Sequence, residues 1–150
     1  MNPEGTANAG ARESPNVVRI VLVEDEPGDV YLLKKALSDR RINYELTCFE
    51  DGEQAMQGLN SVIPDLILVD LNLPRRDGFE VLRSIRSRPA LVGVPVGVFT
   101  SSQAASDRSR ASLIGAERYI YKPAELNEFV SKVGQAVKEL LEEGRTHDPL

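Results

Sequence analysis

The chain has 150 residues, 41% of them hydrophobic and 27% charged, which is the size and make-up of one globular domain with a buried core. Its 23 acidic against 18 basic residues leave a formal charge of -5, so it has no basic field for tracking nucleic-acid phosphates, and direct DNA binding is not expected. No stretch approaches the roughly 20 apolar residues of a membrane span, the N-terminal MNPEGTANAGARESPN has no apolar signal-peptide core, and the single cysteine, Cys48, excludes an intramolecular disulfide.

Residues 1–16 lack periodicity and bury too little to offset the entropy of ordering, so a disordered N-terminal tail is expected there. Residues 17–142 should hold the folded domain, and 143–150 a fraying tail that includes His147. From Val17 onward, short β-branched runs alternate with longer stretches of helical spacing, the pattern of a parallel α/β sheet. VVRIVLV (Val17–Val23) reads as the first strand, followed by a helix over Val30–Leu37 with Leu33 and Leu37 inward. NYELTCF (Asn43–Phe49) alternates, with Tyr44, Leu46 and Cys48 on one side, as an edge strand does, and Cys48 is expected to pack in the core. A short helix over Gly52–Leu59 leads to DLILVD (Asp65–Asp70), the third strand.

Asp77 is placed to cap a helix over Gly78–Ile85 whose Val81, Leu82 and Ile85 face inward. VPVGVFT (Val94–Thr100) is the fourth strand, and the helix after it, Gln103–Ile114, has few apolar residues and should be the least firmly packed. RYIY (Arg118–Tyr121) closes the strands. The last helix, from about Ala124 to Leu141, carries Leu126, Phe129, Val130, Val133, Val137 and Leu140 on one stripe.

In open α/β sheets the ligand site lies beyond the carboxyl ends of the strands. Here those ends present Glu24, Asp25 and Glu26 after the first strand, Asp70 at the third, Thr100 at the fourth, and Lys122-Pro123 after the fifth. Each has a bland reading alone: a turn-capping aspartate, a solvated acidic loop, a surface lysine. Placed together they are constrained by charge, because two carboxylates about 4 Å apart repel by roughly 4 kcal/mol at an effective dielectric near 20. Oxygen-only ligands with room for water favour Mg²⁺ or Mn²⁺, and one such ion with Lys122 balances Glu24, Asp25 and Asp70. A site so balanced accepts a phosphoryl group, with Asp70 attacking phosphorus in line.

The segments LVEDEP, LILVDLNLPRRDGFEVL, VFTSS and YIYKP resemble, in order and at the right strand ends, the blocks of the receiver domain of two-component response regulators, over Val17 to about Leu140. The resemblance implies a doubly wound, five-stranded parallel sheet of flavodoxin-like order 2-1-3-4-5, with five helices on both faces. It implies Asp70 as phosphoacceptor, Asp25 as direct metal ligand, Glu24 as the acid that holds the metal through water, and the Asn72 backbone carbonyl as a further ligand. Thr100 matches the hydroxyl that bonds the phosphoryl group, Lys122 the cation that pairs with it, and Tyr119 the switch aromatic. Pro123 matches the proline whose preceding peptide is typically cis in this family. The first acidic position, often Asp in the family, is Glu24 here, and its extra methylene alters how water or metal sits. The LNLPRRDG block resembles the small receivers found beside phytochrome-type and hybrid kinases.

The resemblance further implies a cytoplasmic phosphorelay protein. It would take its phosphoryl group from a sensor histidine kinase or histidine phosphotransfer protein, catalyse its own phosphorylation and slow dephosphorylation without turnover of a separate substrate, and bind a downstream protein target. A homodimer is a further expectation, and a membrane contact is not. Two rivals differ in class. A dehalogenase-type phosphohydrolase needs an acid two residues after its nucleophile, where this chain has Asn72. A phosphorylation-independent adaptor, or a flavin-binding relative, would keep the sheet without the chemistry. Arg75 and Arg76, beside the site, read as a solvated loop.

Overall fold

The computed structural model describes residues 17–61 and 63–146. Five strands form one parallel sheet: β1 (Val18–Val23), β2 (Tyr44–Phe49), β3 (Leu66–Val69), β4 (Val96–Thr100) and β5 (Arg118–Tyr121), in the order β2-β1-β3-β4-β5. The helices between and after them are α1 (Pro27–Asp39), α2 (Gly52–Gly58), α3 (Gly78–Arg86), α4 (Ala105–Ile114) and α5 (Leu126–Thr146), with a short 3-10 turn at Pro89–Leu91. This is the doubly wound, five-helix architecture expected from the sequence. The expected tail over residues 1–16 lies outside the described residues, as does His147.

The two-residue period of the strands sorts their apolar side chains into two layers. Val21, Val23, Ile67, Val69, Val96 and Val98 face α2, α3 and Ala111 of α4. Ile20, Leu22, Leu66, Leu68 and Phe99 face Leu33, Ala36 and Leu37 of α1 and Phe129, Val133, Val137 and Leu140 of α5. All of β3 and β4 is buried, and β1 exposes only Arg19. Central strands of a doubly covered sheet must be apolar on both sides, and these runs are.

Four expectations need correction. α1 begins at Pro27, three residues before Val30, because proline suits the first helical position and the Glu26 side chain accepts the Gly28 N–H at 3.3 Å. Cys48 is exposed, since edge strand β2 has no fully buried residue. Leu126 is 53% exposed because it opens α5, a turn before the buried stripe begins at Phe129. α5 continues to Thr146, past the boundary expected at residue 142, so residues 143–146 of the expected tail prolong the helix, and 147–150 lie outside the described residues.

Other local expectations hold. The Asp77 carboxylate accepts the Phe79 N–H at 2.8 Å and caps α3. α4 buries Ala111 alone and has no side-chain cap at Ala104, which makes it the helix with the smallest apolar footing. Two cation–π contacts supplement that footing: the Arg108 guanidinium lies 4.5 Å from the Tyr119 ring centroid, and that of Arg110 lies 4.0 Å from the Phe79 ring.

Candidate functional site

The parallel strands all end on one edge, and the loops leaving β1, β3, β4 and β5 carry the polar residues of the site. Glu24 follows β1 directly and is almost fully buried, while the next residue, Asp25, is exposed. Asp70 follows β3 and is 5% exposed; its Oδ1 accepts the backbone N–H of Asn72 at 3.2 Å. Carboxylate oxygens of Glu24, Asp25 and Asp70 all lie within 4.8 Å of one another.

Gly78 allows this closeness. Its N–H donates to the Leu71 carbonyl at 3.2 Å, and a Cβ there would overlap the Asp70 carbonyl oxygen and the Leu71 Cα. The N-terminus of α3 therefore seats directly against the backbone that carries Asp70.

Lys122 reaches into this cluster from the residue after β5. Its ammonium donates to Glu24 Oε1 at 2.5 Å, Asp29 Oδ2 at 2.8 Å and Asp70 Oδ2 at 3.3 Å, and lies 4.7 Å from the Phe99 ring centroid. Its backbone N–H donates to the Thr100 carbonyl at 2.8 Å, which ties the end of β5 to that of β4. No cis peptide occurs among the described residues, so the Lys122–Pro123 bond is trans, contrary to expectation; trans is the lower-energy isomer of an X–Pro bond by about 0.5–1 kcal/mol.

Burial dominates the electrostatics of Glu24, pushing its carboxyl up from 4.5 to about 8; the hydrogen bond and charge of Lys122 oppose this, and the charge of Asp70 reinforces it. Burial works to lower the Lys122 ammonium and is outweighed by its hydrogen bonds to Asp29 and Glu24 and by the charges of Glu24 and Asp70, so its pKa is raised above the usual value. Such a cluster is short of positive charge. Three hard oxygen donors, one of them open to solvent, fit a divalent cation of the Mg²⁺ or Mn²⁺ type and not a soft metal.

Residues 20–134 match the response regulator receiver domain. The chain belongs to that family. As a receiver it is 37% identical over 121 residues to the response regulator Rcp1 of Synechocystis sp., an alignment covering 76% of this chain and 82% of that protein. It is 33% identical over 122 residues to the transcriptional regulatory protein TrcR of Mycobacterium tuberculosis, covering 81% of this chain and 46% of TrcR. Among solved structures, the Mn²⁺-bound form of Rcp1 superposes with a TM-score of 0.76 at 35% identity, over 83% of this chain and 95% of that one. The phosphorylated cyanobacterial phytochrome response regulator RcpA superposes with a TM-score of 0.73 at 35% identity, over 89% and 97%. The receiver is thus a component of two-component signalling.

The receiver fold gathers Glu24, Asp25, Asp70 and Lys122 directly. Thr100, at the end of β4, is fully buried, and its Oγ1 accepts the Ser102 N–H at 3.3 Å. Tyr119 is half-buried on β5, and its hydroxyl donates to the Ser102 carbonyl at 2.9 Å. Arg75, with a φ of 69°, bonds Asp51 at 3.4 Å, so it braces the loop after β3 as well as facing solvent.

Two residues of the site were not singled out from sequence. Asp29 became visible only once α1 was seen to start at Pro27, which puts it in the first turn. Ser102 carries no sequence signal beyond its place two residues after Thr100. No helix among the described residues is long and apolar enough to cross a membrane.

Proposed function

We propose that this receiver takes a phosphoryl group onto Asp70 from the phosphohistidine of a sensor histidine kinase or histidine phosphotransfer protein, and signals by a conformational switch that changes what its α4–β5–α5 face binds. The observation that carries this reading is the single ammonium of Lys122 bridging buried Glu24 and Asp70 at the strand ends. A carboxylate positioned there, with a fixed cation beside it, is prepared to share its surroundings with phosphoryl oxygens. The Mn²⁺-bound state of Rcp1 supports a divalent cation at the site, and the phosphorylated state of RcpA supports phosphoryl uptake.

Glu24, Asp25 and Asp70 would hold the Mg²⁺, with the Asn72 carbonyl as a further ligand. When bound, the ion supplies charge neutralisation for the phosphoryl oxygens. An Asp70 carboxylate oxygen attacks phosphorus, the P–O bond forms as the P–N bond of the donor breaks, and the leaving electron pair stays on the imidazole nitrogen, which takes a proton. Lys122 moves its hydrogen bond from Asp70 to a phosphoryl oxygen. Thr100 supplies a hydroxyl to another, and Tyr119 follows it inward, re-seating α4. Hydrolysis reverses the modification slowly, and no separate substrate is turned over. The reading places the protein in the cytoplasm, with such kinases, and a downstream protein is the target of the switched face.

The test is the intact mass of the wild type and Asp70→Asn after incubation with acetyl phosphate and Mg²⁺. One labile phosphoryl adduct, absent in the variant, is expected. An adduct that persists in Asp70→Asn, or none on the wild type with either acetyl phosphate or a phosphohistidine donor, overturns the assignment.

A further inference from the structure

The Lys122 ammonium has three hydrogens to donate and three carboxylate partners to receive them. Two of these bonds are short, to Glu24 at 2.5 Å and Asp29 at 2.8 Å; the third, to Asp70 at 3.3 Å, exceeds the roughly 2.7–2.9 Å of a good charge-assisted bond. The ammonium therefore leans away from Asp70. Asp29 is not one of the three carboxylates that lie within 4.8 Å of one another, so its partner is the lysine and not the metal position.

Its support is rigid. The Asp29 N–H bonds the Glu26 carbonyl at 3.1 Å at the start of α1, and Leu33, Ala36 and Leu37 anchor that helix in the core. The Phe99 ring, in the same layer as α1, lies 4.7 Å from the ammonium and is held in turn by an edge-to-face contact with Phe129 at 5.9 Å.

We propose that Asp29 is a positioning residue acting through Lys122. It fixes the ammonium on the α1 side, so that the bond given up when a phosphoryl group arrives is the long one to Asp70, and the freed hydrogen already points at the incoming oxygen. This rests on the reading that Asp70 is the phosphoacceptor. Without Asp29, Glu24 is the only short partner left, and the ammonium swings onto Asp70, where it blankets the nucleophile. The chemical step then slows, while binding of a small phosphodonor does not change.

The test compares the wild type, Asp29→Ala and Asp29→Glu by two measurements. The first is the NMR signal of the Lys122 ammonium in ¹⁵N-lysine-labelled, metal-free protein. The second is the rate of Asp70 phosphorylation as a function of acetyl phosphate concentration with Mg²⁺. Asp29→Ala should shift or broaden the ammonium signal and lower the limiting rate roughly fivefold with half-saturation unchanged within about twofold, and Asp29→Glu should restore both. An unmoved ammonium signal overturns the proposal, and so does a moved signal with an unchanged limiting rate. If the wild type takes up no phosphoryl group, the phosphoacceptor reading fails, and the ammonium signal still decides whether Asp29 holds Lys122.

Discussion

The hydroxyl of Tyr119 donates to the backbone carbonyl of Ser102 at 2.9 Å, across 17 residues of sequence. Ser102 is also bonded on its other sides: its N–H donates to Thr100 Oγ1 at 3.3 Å, its hydroxyl donates to Asp107 Oδ2 at 2.6 Å, and its Oγ accepts the Ala104 N–H at 3.2 Å. One serine thus links the buried hydroxyl of the site, the half-buried tyrosine and the N-terminus of α4. Any displacement of Thr100 reaches both of the others through it.

Removing that hydroxyl should loosen α4 specifically. Ala104 offers no side-chain cap, so Ser102→Ala takes away the polar support that stands in for one. A loss of about 1 kcal/mol is expected, with faster amide exchange over Ala105–Ile114 and unchanged exchange in the central strands. Uniform acceleration across the sheet would show that Ser102 supports the whole fold instead.

Lys122→Met should leave Glu24 and Asp70 buried without a cation. Breaking a buried ion pair by removing one partner costs about 3–5 kcal/mol, and the loss should be smaller below about pH 8, where Glu24 takes up a proton, than above it. Urea midpoints of the metal-free variant across that range check both parts, and Mg²⁺ should return much of the stability.

The metal-free wild type should itself depend on pH. The Glu24 carboxyl is raised from 4.5 to about 8 in the folded protein, so between those values the folded state binds the proton and the unfolded state does not. Stability from this group is complete below 4.5 and declines as pH rises toward about 8. The Lys122 ammonium, raised above 10.5, contributes no slope in that window. Glu24→Gln should flatten the profile, and a slope that survives in this variant would locate the titrating group elsewhere.

Gly78→Ala should damage the site from outside it. The new methyl would collide with the Asp70 carbonyl oxygen and the Leu71 Cα, both backbone atoms that cannot rotate aside. A destabilisation of about 1–3 kcal/mol is expected, together with a changed Mg²⁺ affinity, because Asp70 must shift with its backbone. A stable variant with unaltered Mg²⁺ titration would mean that α3 retreats instead.

The apolar runs made the sheet legible in sequence, since β1, β3 and β4 must be apolar on both sides and few other segments are. Acids at two strand ends and a lysine at a third marked the site for the same reason: their positions follow from where strands stop. What escaped notice depended on helix starts and on tertiary cover. Asp29 is one acid in an acidic loop until Pro27 is recognised as the first residue of α1. Cys48 has the alternation of a buried residue, yet no helix covers that side of β2 fully. Ser102 reaches Thr100 and Tyr119 through its backbone N–H and carbonyl, which no residue type announces.

The pairing of Lys122 with Glu24 spans 98 residues of chain. During synthesis the acids of the first and third strands leave the ribosome before Lys122, so a chain lacking β5 lacks the ammonium that lies between Glu24 and Asp70. The charge balance of the site is therefore completed only when β5 takes its place at the sheet edge beside β4.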